Sequence, residues 1–173
     1  LFFGYESGND RILKLINKGI TLEAIKTKIE LINKYNMTCW ASGIIGIPTE
    51  TKDEVYNTID FAMYLRDSLP EGSTVSTYRY MPLPNTPLLS LAIKEGFSYP
   101  KKTEDWRCID PIDTYYQMDW LKWMTPDDKS FLAIAQELGR RNMLNYRFSN
   151  APIVNSVNNC FAKLMREKIN KRD

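Results

Sequence analysis

Histidine is absent from all 173 residues. That removes the commonest general base and the commonest metal ligand together. Cysteine is scarce: Cys39, Cys108 and Cys160 lie far apart. An odd number at such wide spacing is neither a disulfide framework nor a zinc or iron–sulfur ligand set. Isolated reduced thiols of this kind suit a cytoplasmic protein. Net charge is also small, at +2, with no block of Lys and Arg of the sort that tracks a phosphate backbone, so no nucleic-acid surface is expected. No apolar run approaches the roughly 20 residues that span a bilayer. G-x-G-x-x-G at a first strand–helix turn is missing too, which counts against a dinucleotide oxidoreductase. A chain this poor in acid–base chemistry is expected to hold a ligand, and no catalytic or metal-ligating residue is assigned in it.

What remains is an ordinary globular composition, with 43% hydrophobic and 25% charged residues, enough for one sizeable core. The stretch around which the chain is organised is its first, LFFGYESGNDRILKLINK. Leu1-Phe2-Phe3 reads as a buried strand. It runs into Gly4-Tyr5-Glu6-Ser7-Gly8, where a carboxylate sits between two glycines at a strand's carboxyl end. Asn9 is placed to cap a short helix with Ile12, Leu13 and Ile16 inward. In α/β folds ligands bind just outside the carboxyl ends of parallel strands, so Glu6 is placed to accept hydrogen bonds from hydroxyls such as those of a ribose. A chain that opens inside a strand reads as the carboxy-terminal part of a longer protein.

Thr21 then caps a second helix, whose Leu22, Ile25, Ile29 and Ile32 form one stripe. Met37 to Pro48 reads as a second strand, stopped by a proline that cannot join a ladder. Thr51 and Glu54, three apart, have the capping-box form, and the helix they open buries Val55, Ile59, Ala62 and Leu65. Ser73 to Met81 alternates β-branched and aromatic residues, a third strand. A proline-rich loop follows, then a short helix ending at Gly96. The fold class is α/β: three strand–helix units with parallel strands, part of a TIM-like barrel or of an open sheet, since closing a barrel takes about eight. Residues 1–98 form this unit. Residues 99–173 form an aromatic-rich linker and a mainly helical extension, with helices expected from Thr125 (Leu132, Ala135 and Leu138 inward) and along Val154, Val157, Phe161 and Leu164.

Three motifs carry a resemblance: Gly4–Gly8 with Asn17-Lys18-Gly19, Gly43-Ile44-Ile45-Gly46-Ile47-Pro48-Thr49-Glu50, and Tyr80-Met81-Pro82-Leu83-Pro84-Asn85-Thr86-Pro87. In order and spacing they resemble the second half of a radical S-adenosylmethionine (SAM) enzyme. They are most similar to the branch with a cobalamin-binding domain upstream, which includes the anaerobic oxidative cyclase of magnesium-protoporphyrin monomethyl ester. The resemblance covers roughly the first hundred residues. It implies a partial barrel, the motifs falling on its fourth, fifth and sixth strands. The family's C-x₃-C-x₂-C cluster motif has no counterpart here. The resemblance therefore implies a [4Fe–4S] cluster in the parent that this chain does not ligate, and a fragment inactive alone.

By resemblance, the SAM-binding residues are Gly4, Glu6, Ser7, Gly8, Lys18, Ser42, Ile44, Gly46, Pro48, Tyr80 and Met81. Glu6 meets the ribose hydroxyls, and Lys18 meets the SAM carboxylate. Ser42 adds a polar ribose contact, and Ile44 packs on the adenine. Gly46 and Pro48 shape the strand exit, and the Tyr80 and Met81 backbone faces the adenine. Each has a plainer alternative: Glu6 as a helix cap or a partner for Lys18, Lys18 as a solvated helix-end cation, and Gly43–Pro48 as a buried strand. Asn85 stands where this branch often has Gly, and Asn tolerates the same left-handed turn. The parent activity implied is a tetrapyrrole oxidative cyclase or a cobalamin-dependent methylase acting on a small molecule. The rival from another class is a non-catalytic α/β domain that binds a ligand or partner. The aromatic band 97–124 either lines a pocket for a flat substrate or packs as a hydrophobic cover. The exposed sheet edges are expected either to join in a homodimer or to be covered by an extended segment folding back over them, for which the 97–124 band is the candidate.

Overall fold

The computed structural model describes residues 1–109, 118–130, 132 and 133. The helix expected along Val154 to Leu164, the residues Ala135 and Leu138, and Tyr115 and Tyr116 of the aromatic band lie outside them. The elements alternate as read from the sequence: β1 (Phe2–Glu6), α1 (Asp10–Leu15), α2 (Leu22–Lys34), β2 (Trp40–Ile45), α3 (Lys52–Ser68), β3 (Thr74–Arg79) and α4 (Pro87–Lys94). A short 3-10 turn spans Thr103–Ile109. The strands form one parallel sheet in the order β1-β2-β3, as strands separated by helical crossovers must.

Local chemistry sets the boundaries. The Thr21 hydroxyl accepts from Ala24 N and starts α2, and Ile25, Ile29 and Ile32 are buried along its stripe. Thr51 and Glu54 make the complete capping box of α3. Asn85 takes φ 60 and Gly96 φ 99, the left-handed turns expected before and after α4. Asn9 occupies the N-cap position of α1 but makes no side-chain cap bond. Its amide donates instead to the Glu54 carbonyl of α3 at 2.7 Å.

The two sheet faces differ. Tyr5, Ala41 and Val75 point to the side covered by α2 and α3, packing with Ile25, Ile29, Ile32, Phe61 and Leu65. Side chains alternate across a strand, and the register pairs Phe2 with Trp40 with Thr74, and Gly4 with Ser42 with Ser76. These residues, with Ile44 and Tyr78, therefore share the opposite face. There Phe2 is 67%, Trp40 40% and Tyr78 43% exposed, and no described helix covers it. Helices on one face and an open second face are what part of a βα barrel presents.

A second core gathers at the carboxyl ends of β2 and β3. Ile45, Ile47, Val55, Ile59 and Tyr80 pack there with Leu89 and Ala92 of α4 and with Phe97, Trp120, Leu121 and Leu132. Thr125 and Asp128 cap a helical stretch over 126–130, the carboxylate accepting from Thr125 N at 3.1 Å. The described members of the aromatic band thus mostly pack inward, although Tyr99, edge-on to Trp106, stays about half exposed.

Candidate functional site

The carboxyl end of β1 is bent before it reaches the site. Register slips by one residue between Gly4 and Glu6, and Glu6 takes φ 57. A bulge of this kind re-aims the following side chain. The Glu6 side chain folds back so that a Cβ at Gly4 would run into its carboxylate. A side chain at Gly4 would therefore have to displace that carboxylate, which lies on the face that Gly4 shares with Ser42. Lys18, just past the left-handed Asn17 that ends α1, reaches the same point, with Nζ 2.7 Å from Glu6 Oε1. Glu6 and Lys18 are thus brought together as an ion pair, the plainer of the two roles expected for Glu6. Ser42 and Ile44, both half-buried, follow on the neighbouring strand.

Ser7 and Gly8 turn the other way. Ser7 is fully buried, its hydroxyl 3.1 Å from Thr58 Oγ1. Gly8 donates its N–H to Thr58 Oγ1 at 3.0 Å, and a Cβ there would meet the Asn57 carbonyl. Asn9 completes the cluster, receiving the Asn57 amide on Oδ1 at 3.0 Å. The structure thus commits these three residues to docking β1 and α1 against α3. Their partners lie some fifty positions away in sequence, so no local pattern announces them.

Gly46 and Pro48 lie in the turn that leaves β2. Gly46 has φ 80 and is buried. Glu50 folds under the turn, Oε2 accepting from Gly46 N at 2.6 Å and Ile47 N at 3.1 Å. It is only 7% exposed. Burial pushes its carboxyl up to about 7, against the opposing pull of those two N–H groups. Thr49 has φ 70, a left-handed backbone that costs a β-branched residue roughly 1–2 kcal/mol. On the far side of α3's first turn, the Arg11 guanidinium grips Glu54 with Nε at 2.5 Å and Nη2 at 2.6 Å, which holds that carboxyl down near 2. Glu50 and Arg11 were not singled out from the sequence. The one available signal for Glu50 was an acid two residues past Pro48, at the foot of a glycine turn.

The β2–β3 seam opens here for a simple reason. Tyr80 N still donates to Ile45 O at 2.8 Å. The next rung would run from Ile47 N to Tyr80 O, but Glu50 has taken that N–H. The Trp120 indole donates to Tyr80 O instead, at 3.0 Å, and Trp123 donates to Gly46 O at 3.1 Å. Tyr80's backbone groups are therefore engaged within the protein. Its phenol, pushed up to about 12 by burial, lies in the second core, while Met81 is half-buried at the loop's start.

The fit of this end of the sheet to SAM follows from the donor set. A carboxylate matches vicinal hydroxyls, an ammonium matches a carboxylate, and Ile44 offers an apolar contact between them and the turn. Among the described residues no group of three His, Cys, Asp or Glu could hold a metal ion, and Cys39 is a buried free thiol. A metal cluster thus finds no ligand set in the described part.

Residues 1–62, which contain β1, α1, α2, β2 and the first two-thirds of α3, match the model of the Radical SAM superfamily. Over these residues the chain is similar to part of a radical SAM domain. Its relatives include an uncharacterised methyltransferase of Pyrococcus horikoshii, 34% identical over 112 residues, which covers 65% of this chain and 23% of the relative. A tRNA-2-methylthio-N(6)-dimethylallyladenosine synthase of a Sulfurihydrogenibium species is 28% identical over 141 residues, covering 80% and 30%. A putative methylthiotransferase of Methanocaldococcus jannaschii is 33% identical over 102 residues, covering 59% and 21%. The chain spans less than a third of the length of these relatives. No described helix is long and apolar enough to cross a membrane.

Proposed function

We propose that this chain supplies the nucleoside-binding strands of a radical SAM enzyme whose cluster is held elsewhere in the parent protein. The observation that carries the reading is the placement of Glu6 and Lys18, themselves paired at 2.7 Å, on the open sheet face with Ser42 and Ile44 at the strands' carboxyl ends. Glu6 accepts the two ribose hydroxyls, Lys18 meets the amino-acid carboxylate, and Ile44 lies against the adenine. Gly46 and Pro48 shape the turn beside it, Gly4 makes room for the Glu6 carboxylate, and Met81 borders the site from β3. Ser7 and Gly8 serve it at one remove by fixing the loop that carries Glu6. When SAM is bound to a reduced cluster in the parent, the pair supplies radical chemistry; the residues here bind and orient the nucleoside.

For the parent's reaction, methyl or methylthio transfer is the class that the relatives' names support. A cobalamin cofactor and a tetrapyrrole substrate belong to the same proposal and rest on the motif resemblance. A cytoplasmic location is part of it as well and rests on the few, widely spaced cysteines. In the full-length parent, Glu6→Ala is expected to weaken SAM binding by about 10- to 100-fold, the loss of two hydrogen bonds to a charged acceptor. Anaerobic isothermal titration measures it, and an unchanged affinity would sink the ribose assignment. This chain alone is expected to bind SAM weakly, since only part of the pocket is present.

Association is the second part of the proposal. The outer edge of β1 has no strand partner among the described residues, and Leu1 and Phe2 stand exposed beside it. On its helix side lies a cavity of about 420 Å³ lined almost wholly by apolar groups, including Phe3, Ile20, Ala24 and Ile29. An uncovered apolar edge is an association site, and a second copy brings the same edge and the same apolar surface. Light scattering over a range of concentrations should show dimer, with slow hydrogen exchange over residues 1–5. A monomer whose amides there exchange freely would refute it.

A further inference from the structure

The turn from β2 into α3 is kept in a conformation that its own sequence disfavours. Thr49, at φ 70, sits where a residue with a Cβ is disfavoured roughly tenfold against its ordinary conformations. Two side chains grip the turn. From inside, Glu50 holds Gly46 N and Ile47 N. From outside, Arg11 of α1 donates Nη2 to the Thr49 carbonyl at 2.9 Å and Nη1 to Thr49 Oγ1 at 3.4 Å. The same guanidinium forks onto Glu54, which in turn accepts from Thr51 N at 2.9 Å in the capping box of α3.

Arg11 is half exposed, and an exposed ion pair contributes little to global stability. Its reach is the informative feature. The rigid fork of five donors connects three elements, α1, the turn and the first turn of α3, through one backbone carbonyl and one carboxylate. Lysine has neither the planarity nor the donor number to do both.

We propose that Arg11 is a positioning residue, a clamp that keeps Thr49 left-handed and thereby fixes the Gly46–Pro48 turn against the ligand face. Its consequence for SAM rests on the ligand reading above; the clamp itself does not. If the clamp works by holding Thr49, then Thr49→Gly makes it dispensable, because glycine adopts a positive φ freely.

The test compares the wild-type chain with Arg11→Met, Thr49→Gly and the double variant. Hydrogen exchange at the Gly46 and Ile47 amides reports the turn, exchange at Ala41 and Ser76, whose positions face the β2–β3 seam, reports global stability, and titration of the full-length parent with SAM reports the ligand. Arg11→Met should speed exchange at Gly46 and Ile47 by about tenfold, leave Ala41 and Ser76 unchanged, and weaken SAM binding by the parent severalfold. Arg11→Lys should fall between, and it serves in place of Arg11→Met if that variant does not fold. Thr49→Gly should match wild type, and the double variant should return to within about twofold of it, a rescue that a purely structural ion pair would not show. Unchanged exchange at Gly46 and Ile47, or a double variant as loose as Arg11→Met, overturns the clamp. The expected exchange pattern in a full-length parent that binds no SAM at millimolar concentration sustains the clamp and overturns the ligand reading instead.

Discussion

Tyr5→Ala should destabilise the chain by about 3–5 kcal/mol, the usual cost of truncating a large buried aromatic. Tyr5 is completely buried. Its ring lies over Gly43 on the neighbouring strand, where any Cβ would collide with it, and meets Phe61 of α3 edge-on with centroids 5.8 Å apart. The hydroxyl lies 3.1 Å from Thr77 Oγ1 and 3.4 Å from Ser76 O, so one side chain ties β1 to β2, β3 and α3. Desolvation drives its phenol far above the ordinary range, which keeps it a neutral donor. Tyr5→Phe retains the ring and loses only the hydroxyl's bonds, and it should cost about 1 kcal/mol. Urea unfolding of the two variants separates packing from hydrogen bonding. A loss below about 1 kcal/mol in Tyr5→Ala would mean that the space above Gly43 collapses freely. Because Tyr5 is the extra residue of the bulge that re-aims Glu6, the same variant should blunt SAM binding even under conditions where it stays folded.

Which parts of this were legible in the sequence depends on the range of the forces involved. Capping boxes, isoleucine stripes and β-branched alternation act within a few residues. Thr21, Thr51–Glu54, Ile25–Ile29–Ile32 and the three strands accordingly stand where their patterns put them. Glu6 and Lys18 also meet, because a strand and the helix after it return to the same end of the sheet. What the pattern could not show are contacts between distant segments. Asn9 has the residue type and position of a cap, yet α3 offers its amide the Glu54 carbonyl. Tyr80's carbonyl, free to meet an adenine on sequence grounds, is taken by the indole of Trp120, forty residues on. Glu50 looks like one more surface acid after a proline. Only the turn geometry shows two backbone N–H groups converging on it, and a buried N–H needs a partner.

Glu50 therefore gives the second large effect, and its sign can be worked out. The carboxyl ordinarily titrates at 4.5, and in the folded chain it titrates at about 7. Between those values the folded state keeps a proton that the unfolded state has released, so stability falls as pH rises through this window, by on the order of 3 kcal/mol in all. The facing groups are Glu54, whose charge adds to the upward shift, and Arg11, which opposes it. Glu54 works in the opposite direction: held near 2, it contributes stability above its ordinary value that is lost as pH falls from about 4.5 toward 2. Glu50→Gln keeps an oxygen for Gly46 N and Ile47 N but cannot ionise. It should abolish the decline between pH 4.5 and 7 and leave the acid limb intact. Glu50→Ala at pH 5, where the wild-type carboxyl is mostly neutral, strands both N–H groups and should cost about 2–6 kcal/mol, at about 1–3 kcal/mol for each buried unsatisfied donor. Thermal unfolding of the three proteins at pH 3, 5 and 8 tests all of this. If Glu50→Gln declined from pH 5 to 8 as steeply as wild type, the titrating group would lie elsewhere. If Glu50→Ala at pH 5 were as stable as wild type, the turn would not depend on the carboxyl beneath it.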